Sequence, residues 1–432
     1  MRINTLELTN VRGFTHAKLD FQPGFNLIVG INGVGKTTVL ETLRVSLTHI
    51  LKEIKSPIIT SESFKKSDIN INTDQLHVNT SFTIDKHNYD FIYSKSAKDY
   101  TTISTEQKKR TKESTANVRE EGITLEDIIE FKPEIKRTGK NPELGLFFST
   151  RRSLLVNQAL KVVKSGLSNA AAYVDALSET RAFNVKMFAE WFKVRKELAK
   201  VAPEQIKTIQ LIEQTIYTFL PGFSDLDLVE DEISKELTFC ITKSKKVLNF
   251  NQLSDGERGI LALVFDIARR LIIAYMHNDN PLEGEAVILI DELDLHLHPK
   301  WQRTIVSDLQ RTFPNCQFIA TTHSPQIIGE VKPEAITIID KNYEKEVYKP
   351  HVAFGLDTQR ILEELLDTPI RNTDINKEFI KLNKSVDDEK FAEAKKLISE
   401  LKKILGDYDP ELIRINSMIQ FLEEDLEDEK DS

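Results

Sequence analysis

The sequence predicts an α/β fold, a mostly parallel sheet covered by helices on both faces, with an insertion inside it and a helical segment after it. Two observations predict this. Short apolar runs, FNLIVG (25–30), AVILID (286–291), CQFIATTH (316–323) and AITIID (335–340), have the length and composition of buried strands. Between them lie longer stretches with apolar residues three and four apart. Buried strands alternating with helices mean strands running the same way.

Taken in order, RINTLELT and AKLDF alternate as half-buried strands do, and FNLIVG ends on a glycine. A helix starts near Gly35, with Val39, Leu40, Leu43 and Leu47 as its buried stripe. LHVNTSFTI and YDFIYS return to strand patterns. Residues 94–140, with KKRTKES and EEG, read as a polar excursion. LGLFFST reads as another buried strand, closed by Arg151 and Arg152. Residues 153–220 are helical in pattern, as in NVKMFAEWFKVRKELAKV. LSDGERGILALVFDIARRLI is a strong helix, with Ser254 as N-cap and Leu261, Val264, Phe265, Ala268 and Leu271 on its buried side. After 370, FAEAKKLISELKKIL carries Phe391, Leu397, Leu401 and Ile404 on one side and ends at Gly406. Asp409 and Pro410 then open a second helix at N-cap and N1, bearing Leu412, Ile415, Ile419 and Leu422, so the end is a helical hairpin. Like charge in LEEDLEDEKDS opposes compaction and reads as a solvated tail.

The expected division is 1–95 and 245–370 for the two halves of the main domain. Residues 96–244 form the polar excursion and helical insertion, and 371–432 the C-terminal tail.

Bulk properties narrow the class. The net charge of −9 gives no global argument for a nucleic-acid partner, so a DNA or RNA contact would need a local basic patch. Cys240 and Cys316 stand far apart, in no zinc-like spacing and with no disulfide framework. The first residues alternate as a strand and lack the apolar core of a signal peptide, and no run approaches the roughly 20 apolar residues of a membrane span. The expectation is a cytoplasmic protein without membrane contact.

Three motifs carry chemistry. GINGVGKTT matches G-x-x-x-x-G-K-[ST] between a strand and a helix. Glycines let backbone N–H groups face an anion, and the helix start aims its positive end at the same place. Asn32, Gly33, Gly35, Lys36, Thr37 and Thr38 are the candidate nucleotide contacts. Lys36 reaches the β- and γ-phosphates of ATP, and the Thr37 hydroxyl ligates magnesium. VILIDE delivers Asp291 to the sheet edge, where it holds magnesium through water. Glu292 faces the γ-phosphate as base or orienter of an attacking water. LSDGER opens a helix whose Ser254 and Gly256 N–H make a second anion cradle.

This third motif, Ser254, Asp255, Gly256 and Glu257, resembles the signature of ABC-type ATPases. The resemblance implies head-to-tail pairing, one subunit's loop holding ATP and the partner's signature helix closing on it. Asp255 stands where many members have glycine, which points to the SMC-, RecF- and OLD-like branches. Asp294 in LDLHLHP resembles the D-loop aspartate, and His323 in IATTHSP resembles the switch histidine that contacts the γ-phosphate. His296 and His298 read as cap or packing residues before Pro299 rather than metal ligands. Arg12, in LTNVRGF, occupies a position where SMC-like heads often carry an arginine near the nucleotide; a solvated loop arginine is the alternative. Arg151 and Arg152 either line the same region or are exposed strand-end arginines. No Q-loop glutamine can be placed.

The fold class is therefore an ABC-type (SMC/RecF-like) P-loop ATPase head with a helical insertion and a C-terminal helical hairpin. Sustained heptads are missing, and His323 is followed by too few residues for a TOPRIM domain. The layout, LDLHLHP, FFSTRRS and the helical tail resemble the ATPase subunit of Septu-type anti-phage defence, a family that also occurs beside retrons. That resemblance implies an ATPase homodimer or higher homo-oligomer working with a separate HNH nuclease subunit. A RecF-like repair ATPase that binds DNA directly, and a slow ATP-binding scaffold, are the alternatives. Membrane-transporter ATPases fit least.

Overall fold

Alternating apolar residues lay down the first strands, β1 (Arg2–Val11) and β2 (Phe14–Asp20), whose Leu6, Leu8, Phe14 and Leu19 are buried. The computed structural model describes residues 1–55, 59–99, 118–120, 123–135, 142–153, 169–181, 184–202, 205–230, 237–340 and 347–430. The apolar run β3 (Phe25–Val29) follows and feeds helix α1 (Lys36–Lys55). The next strands are β4 (Gln75–Ile84), β5 (His87–Asp99), β6 (Val118–Glu120), β7 (Ile123–Lys132) and β8 (Leu144–Phe148). Helices α2 (Val185–Val201) and α3 (Gln205–Phe219) lead into β9 (Phe223–Glu230), β10 (Leu237–Lys243) and β11 (Lys246–Asn249). Helix α4 (Asp255–Ala274), β12 (Ala286–Ile290), α5 (Pro299–Gln302), α6 (Ile305–Thr312), β13 (Cys316–Thr322), α7 (Pro325–Ile328), β14 (Ile336–Ile339) and β15 (Val347–Tyr348) complete the run.

These strands form an antiparallel sheet in the order β2-β1-β4-β5-β7-β6, a second sheet in the order β15-β14-β3-β13-β12-β8, and a three-stranded sheet β11-β10-β9. In the second sheet, β14, β3, β13, β12 and β8 run parallel. Their register sets Val29 beside Thr322, Ile290 beside Ala320, and Ile290 beside Phe148. The residues that follow, Gly30, Asp291, His323 and Ser149, therefore leave the sheet along one edge. Ligands of open α/β sheets bind at this carboxyl edge. Helix α1 packs against β8, β12 and β13 of this sheet and against β4 of the antiparallel one. Its predicted stripe, Val39, Leu40, Leu43 and Leu47, is wholly buried there.

Helix α4 is held at its middle. Phe265 meets Phe188 of α2 edge-on at 4.9 Å and Phe239 of β10 at 5.4 Å. Truncating such a buried ring costs about 3–5 kcal/mol.

One sequence expectation changes here. The polar excursion over 94–140 contains β7, which pairs with β5 along its length, Phe91 opposite Phe131 and Tyr93 opposite Ile129. Acidic residues on the outer face hide the strand, while Ile129 and Phe131 pack on the core. KKRTKES lies outside the described residues.

The chain divides into two units, Met1–Thr358 and Gln359–Ser432. The second unit has helices Thr373–Asp387, Phe391–Leu405 and Pro410–Lys430, so one further helix precedes the predicted hairpin. Asp409 caps the last helix, accepting from the backbone N–H of Glu411 and Leu412, and Gly406 ends the middle one. The buried stripe of the middle helix runs through Ala394, Ile398 and Leu401 and continues to Leu405. Ile404 is 68% exposed, because the three- and four-residue steps from Ala394 pass it by. The last helix continues through the acidic run as far as Lys430.

Candidate functional site

The loop after β3 must curl tightly before α1 begins. Gly35 lies at φ +113°, and a Cβ there would come within 2.6 Å of the Phe14 ring. Any larger residue is thus excluded twice, by conformation and by space. Lys36 folds back over the loop and donates to the carbonyl oxygens of Gly30 at 2.9 Å and Ile31 at 3.0 Å. Burial lowers its pKa to about 8, against the pull of Asp291, Glu292 and Asp294.

Thr37, on the first turn of α1, points its hydroxyl at both carboxylate oxygens of Asp291, 3.3 and 3.4 Å away. Asp291 is 5% exposed and is fixed from both neighbouring strands. Its N–H donates to the Phe148 carbonyl at 2.8 Å, and its carboxylate accepts from the Thr321 hydroxyl at 2.7 Å. Thr321 also accepts from the N–H of Glu292 at 2.7 Å, and Glu292 takes a left-handed backbone, φ +49°. One threonine thus sets the heights of two consecutive acids.

Asp294 closes the turn beyond them. Its carboxylate accepts from the Thr322 hydroxyl and from the N–H of His323 at 3.3 Å. Burial and the Lys36 charge hold the His323 pKa below its ordinary 6.5, so the ring is neutral near pH 7. His298 caps α5 by accepting from the N–H of Lys300 at 3.2 Å, the capping role expected of it.

The structure therefore gathers Lys36, Thr37, Asp291, Glu292, Asp294 and His323 along one sheet edge, with the exposed Asn32 and Gly33 and the buried Thr38 on the same loop and helix. Sequence reasoning missed Thr321 and Thr322, whose only signal was a pair of hydroxyls at the end of an apolar strand. Other predicted residues stand elsewhere. Ser254 caps α4 in a capping box, accepting from the Glu257 N–H at 3.4 Å while Glu257 accepts from the Ser254 N–H at 2.9 Å. Lys243 pairs with Glu257 across β10. Asp255, exposed, turns to an ion pair with Arg258, one turn on. Arg12 is also left-handed, φ +49°, and its Nε donates to Asp68 at 2.9 Å. Arg151 is exposed just past β8, and the Arg152 side chain lies outside the described residues.

The family profile described as "AAA domain, putative AbiEii toxin, Type IV TA system" matches residues 25–329, which hold every candidate site residue except Arg12. The chain belongs to this family. This AAA-domain chain has an α/β head with a P-loop between β3 and α1, followed by C-terminal helices. It is similar to "Retron Ec83 probable ATPase" of Escherichia coli, 29% identical over 97% of this chain and 87% of that one. It is also similar to "Septu protein PtuA" of Bacillus thuringiensis, 24% identical over 90% of both chains. An SMC head crystallised with the C-winged helix domain of ScpA covers 81% of this chain and 98% of its own length, at 16% identity and a TM-score of 0.48. No helix among the described residues is long and apolar enough to cross a membrane.

Proposed function

We propose that this ATPase-family chain hydrolyses ATP at composite sites of a homodimer and thereby controls a partner HNH nuclease in anti-phage defence. The observation that carries the reading is the Lys36–Thr37–Asp291–Thr321 cluster, with Glu292 and His323 on the same edge. Lys36 exchanges its two carbonyl partners for β- and γ-phosphate oxygens. The oxygen-only pair of Thr37 and Asp291, a hydroxyl against a carboxylate, fits magnesium, a hard cation that takes oxygen ligands. When bound, magnesium would neutralise charge on the phosphates. Glu292 accepts the proton of a water whose oxygen attacks the γ-phosphorus. The bond to the β–γ bridging oxygen breaks, and ADP leaves with the electron pair. Neutral His323 donates a hydrogen bond to the γ-phosphate, and Asp294 keeps its backbone in place.

Support for the second half-site is the exposed, serine-capped start of α4, whose positive helix terminus faces outward. Asp255 does not oppose this, since Arg258 neutralises it. Support for defence is the likeness to Septu and retron proteins over most of the chain. Two experiments test the proposal. ATP turnover per subunit should rise with protein concentration as dimers form; a rate independent of concentration overturns the composite site. Co-purification with an HNH protein, whose DNA or RNA cleavage changes with ATP, is the expected outcome for the partner. Direct salt-sensitive DNA binding by this chain alone would favour a repair ATPase instead.

A further inference from the structure

Gly256 sits in the middle of the signature stretch, yet it is buried while Ser254 and Asp255 beside it are exposed. What buries it is its own subunit. A Cβ at 256 would overlap the carbonyl oxygen of His296 and touch the Trp301 ring at 3.4 Å. His296 lies two residues after Asp294 and is held left-handed, φ +60°. The obstacle is backbone, so no side-chain rotation relieves it. The start of α4 and the D-loop turn thus bear directly on each other, and Asp294 at the head of that turn grips Thr322 and the N–H of His323.

We propose that Gly256 is a positioning residue acting in cis: it transmits the position of α4, whose exposed tip serves the neighbour's nucleotide, to Asp294, His323 and Glu292 of its own subunit. The inference rests on the composite-site reading above. Glycine is required at 256 for this packing with the D-loop.

Heterodimers separate cis from trans. At ATP concentrations that fill only the intact loop, a Lys36→Ala subunit stays empty but lends its intact α4 to a loop-bearing partner, leaving one working site. In the control, the loop-bearing partner carries Ser254→Ala, whose α4 faces only the dead site, and turnover returns. With Gly256→Ala on the loop-bearing partner instead, kcat falls about tenfold or more while KM for ATP and the affinity of the isolated subunit for a nonhydrolysable analogue stay unchanged. His296→Val, which cannot hold a left-handed backbone, disturbs the same contact from the D-loop side. It gives the same cis loss, and it serves if Gly256→Ala does not fold. Undiminished kcat in both cis mixtures, beside an active control, overturns the coupling alone. A silent control from well-folded subunits overturns the composite site and the coupling with it.

Discussion

Helices α1 and α4 both begin at an exposed turn, yet they secure their first residues in opposite ways. The start of α1 is tied outward: Lys36 to the loop carbonyls, Thr37 to Asp291 on another strand. The start of α4 is tied to itself through the Ser254–Glu257 box. One arrangement is unfinished, its cation and hydroxyl resting on substitutes that a triphosphate can displace. The other is complete without a ligand, so it can be carried on a rigid body to a nucleotide held elsewhere. On the composite-site reading proposed above, the same local chemistry serves a resident binding site in one case and a visiting lid in the other.

The most direct way to break this contrast is Lys36→Ala, which should weaken ATP binding by about a hundredfold or more, read by calorimetry. Unchanged affinity would remove the resident site. Glu292→Gln comes next: turnover should fall by about 10²–10⁴-fold with ATP affinity kept, and a normal rate would leave Glu292 without its proposed role. Ser254→Ala should cost about 1 kcal/mol of stability as a lost cap. It should leave the affinity of the isolated subunit intact and depress only dimer turnover; a loss of monomer affinity would erase the distinction between the two helix starts.

The smallest effect concerns pH. Free Lys36 titrates near pH 8, and bound phosphates raise that value. Binding therefore takes up a proton above pH 8. Affinity is flat below that point and falls by at most about tenfold per unit above it. Calorimetry in buffers of different ionisation heat would show the uptake, and its absence at pH 8.5 would mean that Lys36 stays charged when empty.

The loop, the acids after β12 and the capped start of α4 were all legible in the sequence, because each is a local pattern of glycine, apolar run and cap. What the sequence hid is non-local. Thr321 supports Asp291 from 30 residues away, and Asp68 holds Arg12 from 56 away. The packing of Gly256 on the His296 carbonyl involves backbone, which leaves no side-chain signature. Buried charge was equally invisible: Asp266 of α4 is surrounded by Arg181, Arg269 and Arg270, and Arg181 also stacks 4.5 Å from the Phe148 ring. No spacing rule would join Arg181 to that group.

The central place of β3 has a consequence for how the protein is made. Among the described residues its sheet neighbours are β13 and β14, with Phe25 opposite Phe318 and Leu27 opposite Ile336. A nascent chain emerging from the ribosome thus exposes an unpaired apolar strand until residue 339 has been added. At ordinary elongation speeds that interval is roughly 15–60 s. Chaperone protection of the N-terminal third during translation, and failure of truncations ending before Cys316 to retain ATP, follow from where that one strand sits.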